Sequence, residues 1–180
     1  MPSVNTQLLN ISRRFLFFLL TFLPGIMHVQ KTLAQTIGNK DYAVLLENLL
    51  KHTVPEVTVQ QVVKMDHIIL LDTRKKAEFE VSHLKSAIWV GYSDFDLNKM
   101  IDIDKQQPII VYCSIGFRSE KIAEKLVASG YKNVSNLYGG IFEWVNNGFE
   151  VVDTSGITSN VHTFNKNWGK WVQKGNKVYR

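Results

Sequence analysis

Cys113 is the only cysteine in the chain, and it stands where a thiol can be chemically active. An apolar run at residues 108–112 leads into it, and a helix-forming run follows at residues 119–129. These runs predict a strand, a tight loop of six residues and a helix, with Cys113 first in the loop and Arg118 last. A side chain in that position faces backbone N–H groups and the positive end of a helix dipole. Both favour the thiolate, which is the nucleophilic form of cysteine.

A lone cysteine is more often a small buried hydrophobic residue, and that alternative stays open at this point. Three features of the surroundings favour reactivity. Gly116 lets the loop curl without a steric penalty, and Arg118 places a permanent positive charge near the thiol. The end of a strand is also where open α/β sheets bind their ligands.

The composition is that of an ordinary globular protein of 180 residues, enough for one domain with a substantial core. Hydrophobic residues make up 45% and charged residues 21% of the chain. The net charge of +5 is concentrated at the start, where residues 1–34 hold three basic residues and no acid. The remainder has 18 basic and 16 acidic residues, so its charge does not predict nucleic-acid binding.

The first 34 residues have the pattern of a secretory signal peptide. Arg13 and Arg14 precede an apolar run at residues 15–23, and small residues precede an expected cleavage after Ala34. We therefore expect an exported protein, periplasmic or extracellular, with no stable membrane span after cleavage. The alternative is an uncleaved anchor, although the apolar run is shorter than the roughly 20 residues that span a bilayer. Cys113 has no second cysteine with which to form an internal disulfide.

Short apolar runs alternate with helical patterns along the chain. They predict strands at residues 57–59, 68–71, 87–90, 109–112 and 134–137, and helices at 41–51, 59–65, 95–101, 119–129 and 141–145. Helical spacing turns Val63, Ile101 and Val127 towards the core. The alternation predicts an α/β fold of three layers, α/β/α, with a central parallel sheet of about five strands.

The same sequence patterns predict the domain organisation. An N-terminal helical segment at residues 35–55 precedes the α/β domain, which is assigned to residues 56–152. Residues 153–180 lack a long apolar period and form an aromatic tail, predicted to pack on the domain through Trp168 and Trp171. The alternative for this tail is a carbohydrate- or partner-binding patch.

Four motifs between residues 56 and 150 resemble those of rhodanese-like domains, in the same order and at similar spacing. They comprise Asp72, Thr73 and Arg74; Glu78, Phe79, His83, Leu84, Ala87 and Ile88; Val111, Tyr112, Cys113, Gly116, Arg118 and Ser119; and Leu137, Tyr138, Gly139, Gly140, Ile141 and Trp144.

The resemblance implies a single-domain sulfurtransferase that uses thiosulfate or another sulfane-sulfur donor. Cys113 would take the outer sulfur as a persulfide and pass it to cyanide, a small thiol or a protein thiol. The substrate-binding loop would be formed by Ser114, Ile115, Gly116, Phe117, Arg118 and Ser119. No metal or organic cofactor is required by this chemistry.

Three further motif residues are expected to support the loop. Asp72 and Arg74 would brace it through ion pairs, as most such pairs are scaffolding. His83 is interpreted as a structural hydrogen-bonding residue, because a persulfide mechanism with a low thiol pKa does not need a base.

Two other classes of protein share parts of this pattern. A Cys-dependent phosphatase or arsenate reductase would have one more residue between the cysteine and the arginine than this chain has. A non-enzymatic binding module typically lacks the cysteine, which is present here. A module that carries a persulfide on Cys113 to an exported partner is the remaining alternative. Ser114 stands where a basic or longer polar residue is common after the cysteine of this family. This departure is an argument against thiosulfate as the natural donor.

Overall fold

The core of the protein is a parallel sheet of five strands in the order β1-β5-β4-β2-β3. A computed structural model describes residue 33 and residues 36–179. The sheet strands are β1 (Glu56–Val57), β2 (Ile69–Asp72), β3 (Ile88–Trp89), β4 (Ile109–Tyr112) and β5 (Val134–Leu137). β4 is central and all of its residues are buried, as expected for a strand covered on both faces.

Helices cover both faces of this sheet. They are α1 (Lys40–Leu49), α2 (Val59–Val62), α3 (Lys76–Val81), α4 (Phe117–Ala128) and α5 (Gly140–Asn146), with a 3-10 helix at Leu97–Met100. Alternate residues of β4 belong to separate hydrophobic clusters: Ile110 packs with residues of α1 and α5, and Ile109 packs with residues of α4. The predicted three-layer α/β/α fold is confirmed.

The register of the sheet brings two polar segments together at its carboxyl edge. Asp72 pairs with Tyr112, so the turn after β2 lies beside the loop after β4. The N–H of Thr73 donates to the Tyr112 carbonyl at 3.0 Å, which extends the pairing to the residue before Cys113. Strand order and register therefore determine what surrounds the thiol.

Three side chains predicted to face the core are exposed instead. Val63 lies at the end of α2, which stops after one turn, and it is 41% exposed. Ile101 follows the 3-10 helix, whose three-residue period differs from the α-helical spacing used for the prediction. Val127 lies on the outer side of the last turn of α4, where its side chain is 46% exposed.

The C-terminal segment has more regular structure than its sequence indicates. It contains an antiparallel pair, β6 (Val151–Asp153) and β7 (Gly156–Thr158), and a parallel pair, β8 (Asn160–His162) and β9 (Asn176–Val178), with the short helix α6 (Lys166–Gly169) between the latter strands. Three-residue strands are too short for a readable alternation. Trp171 stacks on Tyr42 with ring centroids 5.4 Å apart, which attaches the tail to α1.

The sequence also does not predict helix α3, because its six residues include a single buried side chain, Glu78. The predicted signal peptide lies outside the described residues except for position 33. Among the described residues, no helix is both long enough and apolar enough to cross a membrane.

Candidate functional site

Cys113 lies at the carboxyl end of β4, in the middle of the sheet, and its side chain is 1% exposed. The loop that follows it is short because α4 begins at Phe117, two residues earlier than the sequence pattern indicates. Gly116 makes this early start feasible. It caps the helix with a φ of 110°, a left-handed conformation that favours glycine.

The turn directs backbone N–H groups at the sulfur. Gly116 N–H donates to Cys113 Sγ with a nitrogen–sulfur distance of 3.2 Å. Burial raises the pKa of the Cys113 thiol, but the charge of Arg118 and hydrogen bonds from Ser119 and Ile115 lower it by more. The resulting pKa lies below the ordinary value of a cysteine thiol, so the site favours the thiolate.

Arg118 is held beside the loop by Glu78. Its guanidinium donates to the two Glu78 carboxylate oxygens at 2.7 and 2.8 Å, and to Ser114 Oγ at 2.9 Å. Ser114 Oγ in turn donates to Glu78 at 3.2 Å. This fork-to-fork pairing fixes the plane of the guanidinium as well as its position.

Glu78 is 1% exposed and lies in the first turn of α3, where its carboxylate also accepts the Lys75 N–H at 3.0 Å. Burial would raise the pKa of Glu78, but hydrogen bonds and charge from Arg118 lower it to about 2. In the sequence, Glu78 is identifiable only as a member of the second motif. A glutamate three residues into a helix is ordinarily read as a capping residue, so its bond to the loop could not be foreseen.

Asp72 and Arg74 form a buried pair that stabilises the neighbouring turn. Arg74 Nη2 donates to Asp72 Oδ2 and to the Ser82 carbonyl, both at 2.6 Å. These bonds hold the segment that pairs with Tyr112, and the bracing of the Cys113 loop by Asp72 and Arg74 stays a prediction.

His83 takes part in the packing of α3. Its Nδ1 lies 2.9 Å from the Phe79 carbonyl oxygen, and its ring stacks on Phe79 at 3.8 Å. Its backbone exchanges hydrogen bonds with Val152 of β6. The structural role predicted for His83 stays a prediction that these contacts motivate.

Helix α5 approaches the Cys113 loop from the other side. The N–H groups of Ile141 and Phe142 donate to the carbonyls of Cys113 and Ser114, at 2.9 and 3.1 Å. A Cβ on Gly140 would stand 2.5 Å from the Cys113 carbonyl oxygen, a distance that no side chain can occupy. Gly140 is therefore required for a close approach between the two backbones.

A buried amide supports the start of α4. Ser119 Oγ lies 2.7 Å from Asn136 Oδ1, and Asn136 Nδ2 donates to the Gly116 carbonyl at 3.1 Å. Asn136 comes from β5 and is fully buried. The sequence does not predict this role, because a single asparagine in a short strand has no pattern that marks it.

A pocket of about 410 Å³ opens above the thiol. Its walls include Arg118 and six apolar or aromatic side chains: Leu49, Tyr92, Ile115, Phe117, Phe164 and Trp168. Phe164 and Trp168 belong to the C-terminal tail, so the tail forms part of the site. In the part of the chain that the structure describes, no three His, Cys, Asp or Glu side chains are grouped as metal ligands would be.

The model of the rhodanese-like domain family matches residues 57–147, which is half of the chain. The chain belongs to the rhodanese-like domain family. Its matched segment contains the Cys113 loop, Glu78 and Gly140. Leu49, Phe164 and Trp168 lie outside it.

Curated relatives of this rhodanese-like domain include proteins named tRNA uridine(34) hydroxylase. One from Hamiltonella defensa is 36% identical over 92 residues, and one from Yersinia enterocolitica is 34% identical over 91 residues. Each alignment covers 48% of this chain and 26% of the relative, so the chain spans about a quarter of the length of these proteins.

Solved structures show the same fold at low sequence identity. A protein from Bacillus halodurans aligns with a TM-score of 0.52 and 24% identity, over 66% of this chain and 89% of its own. A thiosulfate sulfurtransferase from Pseudomonas aeruginosa aligns with a TM-score of 0.52 and 17% identity, over 79% of this chain and 26% of its own.

Proposed function

We propose that this rhodanese-like protein is a sulfurtransferase that carries sulfane sulfur as a persulfide on Cys113. The observation that supports this most directly is the buried thiol at the end of β4, which meets the Gly116 N–H at 3.2 Å and has a lowered pKa. A thiol stabilised as thiolate inside a pocket is suited to nucleophilic catalysis.

The reaction has two steps in this proposal. The Cys113 thiolate attacks the outer sulfur of a donor such as thiosulfate, the sulfur–sulfur bond of the donor breaks, and sulfite leaves with its electron pair. The outer sulfur of the Cys113 persulfide is then attacked by an acceptor thiolate or cyanide. The bond between that sulfur and Cys113 Sγ breaks, the sulfur leaves with the acceptor, and Sγ keeps the electron pair as the regenerated thiolate.

The loop serves both steps by stabilising negative charge. Backbone N–H groups of Ile115, Gly116 and Ser119 bind the sulfur that bears the charge before the first step. Such groups are already oriented and need no rearrangement during the reaction. Arg118 adds a positive charge whose position Glu78 fixes.

The test is thiocyanate formation by the purified protein from thiosulfate and cyanide, followed together with the mass of the protein. We expect a mass increase of one sulfur atom on Cys113 and loss of both signals in Cys113→Ser. If no sulfane-sulfur donor adds sulfur to Cys113, the proposal fails and a non-enzymatic binding module becomes the better interpretation.

A tRNA-modifying role is the second candidate, suggested by the name of the relatives that are 34–36% identical to this chain. The near balance of basic and acidic residues after residue 34 does not favour a tRNA surface. Incubation with tRNA, followed by nucleoside analysis of uridine 34, would support this role if hydroxylation appeared and was lost in Cys113→Ser.

A further inference from the structure

The pocket above Cys113 is larger and more apolar than a small inorganic donor requires. Its volume of about 410 Å³ falls within the range of sites that bind small organic molecules. Six apolar or aromatic residues line it, and Tyr92, Phe117 and Phe164 are each more than one-third exposed. Exposed aromatic rings around a concavity provide surface that an apolar ligand can cover.

The charges in the pocket largely cancel. Arg118 uses both terminal nitrogens in its bonds to Glu78 and Ser114. The other charged lining residues are Lys75 and Asp94, which have opposite signs. The pocket walls therefore add little net charge, and their exposed rings are available to an uncharged organic group.

The tail residues that wall the pocket are firmly placed. Phe164 has a φ of 63°, which is unfavourable for a bulky side chain and is maintained only where neighbouring bonds require it. Its N–H donates to His162 Nδ1 at 3.1 Å, and buried Thr163 is bonded to β9. The Phe164 ring lies 6.0 Å from the Arg118 guanidinium carbon and 5.7 Å from Lys75 Nζ.

We propose that the acceptor is an organic thiol with an apolar body of about the size of an aromatic ring, an inference that rests on the proposed function. Phe164 and Trp168 determine this specificity by packing against that body. The acceptor thiolate attacks the outer sulfur of the Cys113 persulfide. The bond between that sulfur and Cys113 Sγ breaks, and its electron pair stays on Sγ. The acceptor leaves as an organic persulfide, and Cys113 returns to the thiolate with no net oxidation or reduction.

The experiment compares two acceptors that share a primary thiol and differ in a phenyl group, ethanethiol and 2-phenylethanethiol. The protein is first converted to the Cys113 persulfide, and loss of the extra sulfur is then followed by mass spectrometry. We expect 2-phenylethanethiol to react with a second-order rate constant about tenfold higher, because the phenyl group leaves water for the pocket.

Three variants locate the preference. Phe164→Ala and Trp168→Phe are expected to lower the ratio of the two rate constants, with the larger effect, about fivefold, from the complete removal of the Phe164 ring. Phe164 is 46% exposed, so its replacement should not disturb folding. The matched control is Ile157→Ala, which removes a 69% exposed apolar side chain of the same tail outside the pocket and should keep the wild-type ratio.

The outcomes separate the two proposals. Equal rate constants for the two thiols, or a ratio unchanged by Phe164→Ala, would overturn the apolar-acceptor inference while persulfide formation still supported sulfur transfer. Failure to form a Cys113 persulfide from any donor would overturn the sulfurtransferase proposal itself, and the inference with it.

Discussion

Arg118 and Glu78 are joined by two hydrogen bonds, of 2.7 and 2.8 Å, between the first turn of α4 and the first turn of α3. The pair ties the helix that follows Cys113 to a segment 40 residues earlier. Because Ser114 Oγ bonds to both partners, the pair also holds the residue next to the thiol. A single carboxylate thus positions the cation that stabilises the Cys113 thiolate.

Replacing Glu78 by glutamine should destabilise the protein in a pH-dependent way. The folded-state pKa of about 2 lies below the usual value of 4.5, so ionised Glu78 stabilises the fold above pH 4.5. This stabilisation is lost as the pH falls from about 4.5 towards 2. We expect Glu78→Gln to lower the free energy of unfolding by about 2–3 kcal/mol at pH 7.

Urea unfolding at pH 7 and at pH 3 measures this difference, which should be smaller at the lower pH. The matched control is Glu80→Gln, because Glu80 is an exposed carboxylate in the same helix. An equal loss of stability at both pH values would show that the Glu78 charge does not act as described.

The ionisation of Cys113 should depend on the charge of Arg118. The pKa of the thiol is lowered partly by Arg118, so Arg118→Gln is expected to raise it. Arg118→Lys keeps a positive charge but loses the two-pronged bond to Glu78. In this variant the pKa of the Cys113 thiol should lie between its values in the wild type and in Arg118→Gln.

The ultraviolet absorbance of the thiolate, measured against pH, gives the pKa of Cys113 in each variant, with Cys113→Ser as the blank. In the wild-type protein the absorbance should appear at a lower pH than for a free cysteine. Identical curves for wild type and Arg118→Gln would contradict an electrostatic role of Arg118.

Adding a methyl group at Gly140 should disrupt the Cys113 loop. The new Cβ would meet the Cys113 carbonyl oxygen at 2.5 Å and the Ile115 nitrogen at 2.7 Å, both backbone atoms that cannot turn aside. We expect Gly140→Ala to reduce stability by about 3 kcal/mol and the sulfur-transfer rate by about tenfold or more.

The control is Gly148→Ala, which also has a positive φ but faces only the flexible end of Lys174 at 3.3 Å. The free energy of unfolding of this control variant should fall by about 1 kcal/mol, and its sulfur-transfer rate should stay unchanged. Thermal unfolding and thiocyanate formation measure both effects, and equal losses at the two positions would mean that backbone strain alone is responsible.

Removing the imidazole of His83 should leave the chemistry intact. The ring stacks on Phe79 and its Nδ1 lies next to the Phe79 carbonyl, so His83→Gln loses packing and is expected to cost about 1 kcal/mol of stability. The rate of thiocyanate formation should stay within about twofold of the wild type. Loss of one limb of the pH–rate profile in this variant would instead identify His83 as an acid or base.

Much of the site could be predicted from the sequence because its central part is local. The strand, the loop with Gly116 and the helix are consecutive, and their signals lie in one stretch of about 20 residues. The apolar runs of the central strands likewise predicted a parallel sheet, since strands buried on both faces have no polar alternation.

The tertiary structure alone decided which distant residues meet the loop. Glu78, Asn136 and Phe164 come from a helix, a strand and the tail, and no local pattern distinguishes them from a capping glutamate, a strand asparagine or a surface phenylalanine. Their positions follow from strand order, register and packing of the short tail strands, which are properties of the whole chain. The sequence thus determined Cys113 as the candidate nucleophile and the loop around it, whereas the fold decided how Arg118 is held and what surrounds the sulfur.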